Sequence, residues 1–242
     1  MILGVIGGAG VAATNTFCHL LEERFTRAGA FRDAHHPEVL IHQATKCPSR
    51  SMYLEGRGED FVPGYVKSGR GLKASGADLL IMVCNTAHYA KDEIAAQVGL
   101  PFFDVLAATV SAAKVTGRKA IGLLASDGII RTGLYQRYLD TLYPEAHLIL
   151  PSPDVQKDVT RAIVNTKSTK RFLEEDHAER PKVIFDSVCD HLNTRGADVI
   201  ISGCTDLRVD CQREMYKGMP IVDSLSASVE GIFQLLHKPE EK

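Results

Sequence analysis

The chain has 242 residues, 45% of them apolar and 24% charged, enough to bury one large core or two of about half that size. Its 28 lysines and arginines against 30 acidic residues leave a net charge of −2, which excludes an electrostatic case for nucleic acid or an anionic membrane surface as partner. Six cysteines in a chain of this size, with no positively charged leader, are expected to be reduced cytoplasmic thiols and not a disulfide framework.

Short apolar runs bounded by turn residues alternate with longer helical patterns, which predicts an α/β protein built on mostly parallel sheets flanked by helices. Strands are predicted at residues 2–6, 39–43, 79–83, 101–103, 120–124, 147–150, 199–202 and 220–222. Most are apolar on both faces, as strands covered by helices on each side must be. Helices are predicted at residues 12–28, 61–74, 86–97, 106–116, 131–142, 153–166, 180–195 and 224–236. Two polar stretches, 47–60 and 166–180, are expected to be loops that reach over a cleft.

The first turn carries a competing signal. Gly8-Ala-Gly10-Val-Ala-Ala13 satisfies G-x-G-x-x-A, a dinucleotide fingerprint, but the second strand ends in His42 and Gln43 where a ribose-binding acid belongs. The glycines equally let the turn approach a carboxylate or pack closely.

The chain also repeats itself. Gly76-Ala-Asp-Leu-Leu-Ile-Met-Val-Cys84 answers Gly196-Ala-Asp-Val-Ile-Ile-Ser-Gly-Cys204, and the cysteines stand 120 positions apart. Leu3-Gly-Val-Ile-Gly answers Ile121-Gly-Leu-Leu-Ala, and Pro101-Phe-Phe-Asp104 answers Pro220-Ile-Val-Asp223, in the same order and at nearly the same spacing. A half-length period means two pseudo-symmetric α/β lobes, residues 1–117 and 118–242, with a cleft between them.

Each copy places a cysteine where a buried strand runs out, the end at which ligands bind in open α/β sheets. Residues able to open a helix follow both Cys84 and Cys204, so backbone N–H groups and a positive helix terminus are expected to favour thiolate at each. A lone strand-end cysteine is as readily a small buried hydrophobe, but repetition at equivalent positions favours function. Zinc is not supported: Cys84 and His88 are four apart, no C-x-x-C pair exists, and Arg208 stands where a second histidine would. Two thiols at duplicated sites suit a nearly mirror-symmetric reaction, racemisation. One thiolate removes an α-proton while the opposite thiol protonates the other face. Donors for the developing carbanion charge are available at Asn85, Thr86, Thr205 and the Gly7-Gly8 turn.

These residues resemble the aspartate/glutamate racemase superfamily, most closely its aspartate racemase branch. The marks are Gly7 to Thr14, His36 to Ile41 before Pro48-Ser-Arg50, Cys84-Asn-Thr-Ala-His88, Gly128 to Tyr135, and Gly203-Cys-Thr-Asp206. The resemblance implies two lobes with the site in the cleft, interconversion of L- and D-aspartate or glutamate, catalytic Cys84 and Cys204, and neither pyridoxal phosphate nor metal. It implies a small amino acid as ligand, a homodimer, and no nucleic acid or membrane partner. The C-terminal helix, about residues 224–237, can pack back on the first lobe in that family. Arg50 matches the arginine that holds a side-chain carboxylate, and Lys167 or Lys170 the second basic residue. Gly8, Asn85, Thr86, Ser126, Thr205 and Asp206 complete the implied binding set. Three positions depart from the family pattern: Ser49 replaces a common aspartate, Ile129 a common threonine, and Asp206 the usual glutamate. They leave broader amino-acid specificity, or another isomerisation of the superfamily, as alternatives. A non-catalytic amino-acid-binding protein is a second, disfavoured by the presence of both cysteines.

Overall fold

The computed structural model describes residues 1–237. Its strands are β1 (Leu3–Gly7), β2 (Val39–Gln43), β3 (Leu79–Met82), β4 (Ala120–Leu124), β5 (His147–Ile149), β6 (Val199–Ser202), β7 (Met215–Tyr216) and β8 (Met219–Asp223). Its α-helices are α1 (Val11–Arg27), α2 (Arg50–Leu54), α3 (Val62–Ala74), α4 (Lys91–Val98), α5 (Val105–Val115), α6 (Asp127–Thr132), α7 (Leu134–Leu142), α8 (Pro153–Thr166), α9 (Pro181–Thr194) and α10 (Ser224–Leu236). The strands form two sheets, β2-β1-β3 and β5-β4-β6-β8-β7, parallel throughout except for β7 at the edge of the second.

Period-two alternation decides what each strand buries. On β1, Ile6 faces one apolar cluster with Leu80, Met82 and Tyr65, whereas Leu3 and Val5 face another with Phe17, Leu21 and Ile81. On β6, Ile200 joins Phe185 and Leu192, while Val199 and Ile201 join Tyr135 and Leu139. Helices therefore cover both faces of each sheet, the α/β architecture expected from the sequence. After β8 the chain returns: Leu225, Val229, Ile232 and Phe233 of α10 pack into the cluster of Leu3, Val5 and Phe17. Glu230 there pairs with Arg24 of α1 at 2.6 Å.

Several predicted elements differ. Residues 101–103 make only an isolated bridge, Phe102 to Leu80, and the two-residue β7 was not anticipated. The helix predicted at 86–97 begins as a 3-10 turn, Thr86–Ala90, and becomes α-helical only at Lys91. The helix predicted at 131–142 is two helices, because Gly133 sits at φ 59°, a left-handed conformation that ends α6. The stretches expected as loops over the cleft contain α2 and a 3-10 turn at Thr169–Phe172.

Candidate active site

Cys84 follows β3 and Cys204 follows β6, each two residues beyond its strand's last residue, and both line one cavity of about 250 Å³. Asn85, Thr86, Ser126, Thr205, Asp206, Arg50 and Lys167 line it with them. The chain reversal after β3 is fixed by a histidine. His88 is fully enclosed, its Nδ1 2.9 Å from the Cys84 carbonyl, while Nε2 accepts from the Val105 N–H at 3.2 Å. Because Nε2 accepts, Nδ1 carries the proton and donates to Cys84. Burial lowers the affinity of His88 for a second proton, so the imidazole stays neutral and holds Cys84 in place.

Cations and carboxylates are interleaved along the cavity wall. Arg50 opens α2, whose N-cap Ser49 accepts from the Met52 N–H. Its guanidinium donates to the carbonyls of Pro48 and Ala9, both at 3.1 Å, and its buried Nε has no hydrogen-bond partner. Burial opposes the Arg50 charge, but the thiol of Cys84 and phenol of Tyr65 beside it, in their anionic forms, outweigh that and raise its proton affinity. Lys167, at the end of α8, lies 2.9 Å from Asp206 and also donates to the Ala9 carbonyl at 3.2 Å. Burial pushes the Asp206 carboxyl up and the ammonium pulls it back; the 2.9 Å contact keeps the pair ionic.

The expectation that helix termini favour thiolate at both cysteines is overturned at Cys204. Burial, and then Asp206 with its Oδ2 3.9 Å from the sulfur, push this thiol up to about 12. The cause is local: only a three-residue 3-10 turn, Leu207–Val209, follows, too short to build an opposing dipole. Cys204 rests as the protonated partner.

The remaining expectations divide by geometry. Gly8 lies outside the inner cavity, in an adjoining outer cleft, and its glycine character serves packing. It sits at φ 83°, and a Cβ there would come within 2.6 Å of the Ala44 backbone nitrogen. Lys167 reaches the cavity; Lys170 pairs instead with Glu179 at 2.5 Å on an exposed face. Asn85, expected as a donor, is spent on the lobe junction. It accepts from the Tyr135 hydroxyl and donates to Ser224, both at 2.8 Å. Thr86 and Ser126 pair through their hydroxyls at 3.0 Å, joining the two repeat halves. Ile129 is buried in the core of the second sheet and does not line the cavity.

Sequence reasoning missed part of the wall. Met52, Glu55 and Arg57 come from α2 and the turn after it, Asp127 from α6, and Thr160, Ile163 and Val164 from α8. Only the spacing of Thr160, Ile163, Val164 and Lys167, one stripe of a helix, signals a shared face. Among the described residues no group of three or more His, Cys, Asp or Glu is placed to hold a metal, and no helix is long and apolar enough to cross a membrane.

The sequence matches the family described as Asp/Glu/Hydantoin racemase over residues 6–232. It is 24% identical over 229 residues to the broad specificity amino-acid racemase RacX of Bacillus subtilis, covering 92% of each chain. Glutamate racemase of Aquifex aeolicus is 25% identical over 169 residues, 66% of this chain and 59% of that one. Among solved structures, Picrophilus torridus aspartate racemase superposes with a TM-score of 0.77 at 23% identity, covering 97% of this chain and 93% of the other. The aspartate racemase homologue PH1733 of Pyrococcus horikoshii superposes at 0.67 with 19% identity, covering 96% and 97%. At these identities the structural likeness is one of fold.

Proposed function

This chain belongs to the Asp/Glu/hydantoin racemase family, and from that premise we propose that it is a cofactor-independent amino-acid racemase working through Cys84 and Cys204. The observation that carries the reading is that both thiols, from equivalent strand ends of two duplicated halves, line one cavity with Arg50 and Lys167.

The roles follow from charge. Cys84 lies beside the Arg50 guanidinium, and Cys204 beside the Asp206 carboxylate. The Cys84 thiolate takes the α-proton: the C–H bond breaks, an S–H bond forms, and the electron pair moves into the α-carboxylate as an enolate-like dianion. Cys204 then gives its proton to the opposite face, leaving its own thiolate, and the reverse reaction exchanges the roles. Arg50 stabilises the charge that develops between the two steps. Aspartate and glutamate are the substrates the resemblance implies. The similarity to the broad-specificity enzyme of B. subtilis, and the commitment of Lys167 to Asp206, support a wider range.

The test is chiral chromatography of a panel of amino acids incubated with purified protein in deuterated water. Racemisation with solvent deuterium at Cα is expected. Cys84→Ser and Cys204→Ser should each lower the rate on the order of 10²- to 10⁴-fold, the usual worth of one positioned acid or base. No interconversion of any amino acid, or full activity in either variant, would sink the two-thiol reading.

A further inference from the structure

Six charged side chains line the inner cavity, three cations and three carboxylates: Arg50, Arg57, Lys167, Glu55, Asp127 and Asp206. Four of them neutralise each other. Arg57 Nε donates to Glu55 at 3.0 Å, and Lys167 pairs with Asp206 at 2.9 Å. Arg50 and Asp127 remain, and among the described residues neither has an ion-pair partner within 4.0 Å. Arg50 keeps three of its five N–H donors, the buried Nε among them. Asp127 is fixed from α8 by two uncharged donors, Gln156 Nε2 to Oδ1 and Thr160 Oγ1 to Oδ2, both at 2.9 Å. Those bonds orient its carboxylate without cancelling its charge, and about half of its lone-pair sites stay open.

The two helices that carry these residues at their first positions, α2 and α6, touch: a Cβ on Gly128 would meet Leu54 at 3.2 Å. One lone cation and one lone anion thus face a single small cavity from opposite lobes. Complementarity to that arrangement requires a ligand with one negative and one positive group, and no more. Around these charged residues the wall is mixed but uncharged, with Ser49, Ser51 and Thr160 polar and Met52, Ile163 and Val164 apolar.

We propose that Arg50 and Asp127 form a zwitterion clamp, Arg50 taking the α-carboxylate and Asp127 the α-ammonium, so that the preferred substrates are α-amino acids with uncharged side chains. This rests on the racemase reading and narrows it. A second carboxylate, as in aspartate or glutamate, finds no uncommitted cation, because Lys167 is held by Asp206.

The wild-type enzyme should racemise methionine and leucine with kcat/KM at least tenfold above aspartate and glutamate. Asp127→Asn should raise KM for methionine on the order of 10- to 100-fold, the range of one charge-assisted hydrogen bond. The same variant should leave inhibition by the matching 2-hydroxy acid, which lacks the ammonium, unchanged or stronger, whereas a merely structural Asp127 would weaken both. Asp206→Asn, which frees Lys167, should raise the ratio of aspartate to methionine turnover about tenfold, a ratio in which any effect on Cys204 cancels. Calorimetric titration of wild-type protein with methionine and with aspartate tests the preference without any variant. Faster turnover and tighter binding of aspartate, or an unchanged KM for methionine in Asp127→Asn, would overturn the clamp while leaving racemisation intact. Absence of racemisation for every amino acid would instead remove the reading on which the clamp rests.

Discussion

The Cys204 sulfur faces the carboxylate of Asp206, with Oδ2 3.9 Å away, two residues along the same chain reversal. The contact places a negative charge beside the thiol that must hold a proton at rest. Asp206→Asn removes that charge but not the burial that ranks first in raising the thiol, so the Cys204 pKa should fall from about 12 without reaching that of an exposed cysteine. Thiolate absorbance against pH, taken as the difference between Cys84→Ser and the Cys84→Ser/Cys204→Ser pair with and without Asp206→Asn, reads it. An unchanged titration would show that Asp206 has no electrostatic hold on the sulfur.

Gly10 makes room for that carboxylate. Its backbone is extended at φ −178°, which alanine adopts freely, yet an added Cβ would stand 2.0 Å from Asp206 Oδ1. Gly10→Ala should therefore act only by displacing Asp206, lowering kcat/KM on the order of 100-fold with the circular dichroism of the native protein retained. In an Asp206→Ser background the same change should cost almost nothing more. Additive losses would mean that Gly10 acts elsewhere.

Tyr135 joins the halves through its bond to Asn85, 2.8 Å and fully buried. Tyr135→Phe leaves the Asn85 oxygen without that donor and should lower stability by about 1–3 kcal/mol in urea unfolding. A loss below about 0.5 kcal/mol would indicate that the amide turns to another partner.

Asp104 caps α5 by accepting from the Ala107 N–H at 3.0 Å, receives the Tyr138 hydroxyl at 2.8 Å, and pairs with Lys91. Burial opposes its charge, but Lys91, the cap bond and the Tyr138 hydroxyl together hold its carboxyl below the usual aspartate value. A depressed folded value means the unfolded chain binds the proton first. The stabilisation is thus present above about pH 4 and is lost as pH falls through the folded value. Asp104→Asn should cost about 1–3 kcal/mol at neutral pH and less at pH 3, read by thermal unfolding across that range. An equal cost at both pH values would assign the loss to packing.

How much of this was legible beforehand depends on the range of the forces involved. The alternation that makes β1 and β6 strands is local, and Cys84, Cys204, Arg50 and Lys167 stood out by repetition or by resemblance. Asp127 did not, because nothing near it in the sequence shows that Gln156 and Thr160 aim it into the cavity or that it lacks a cation. Asn85 was legible as polar and close to Cys84, but not as a residue spent on Tyr135, 50 positions away.

The sequence by itself determined the α/β class, the duplication, and the two strand ends at which the cysteines stand, since period-two burial and repeated motifs are properties of neighbouring residues. Only the tertiary structure decided which charges are free. Ion pairing and desolvation act over a few ångströms of space and not along the chain, so Lys167 bound to Asp206, Arg50 left open and Cys204 held protonated become visible only once α2, α6 and α8 close around one cavity.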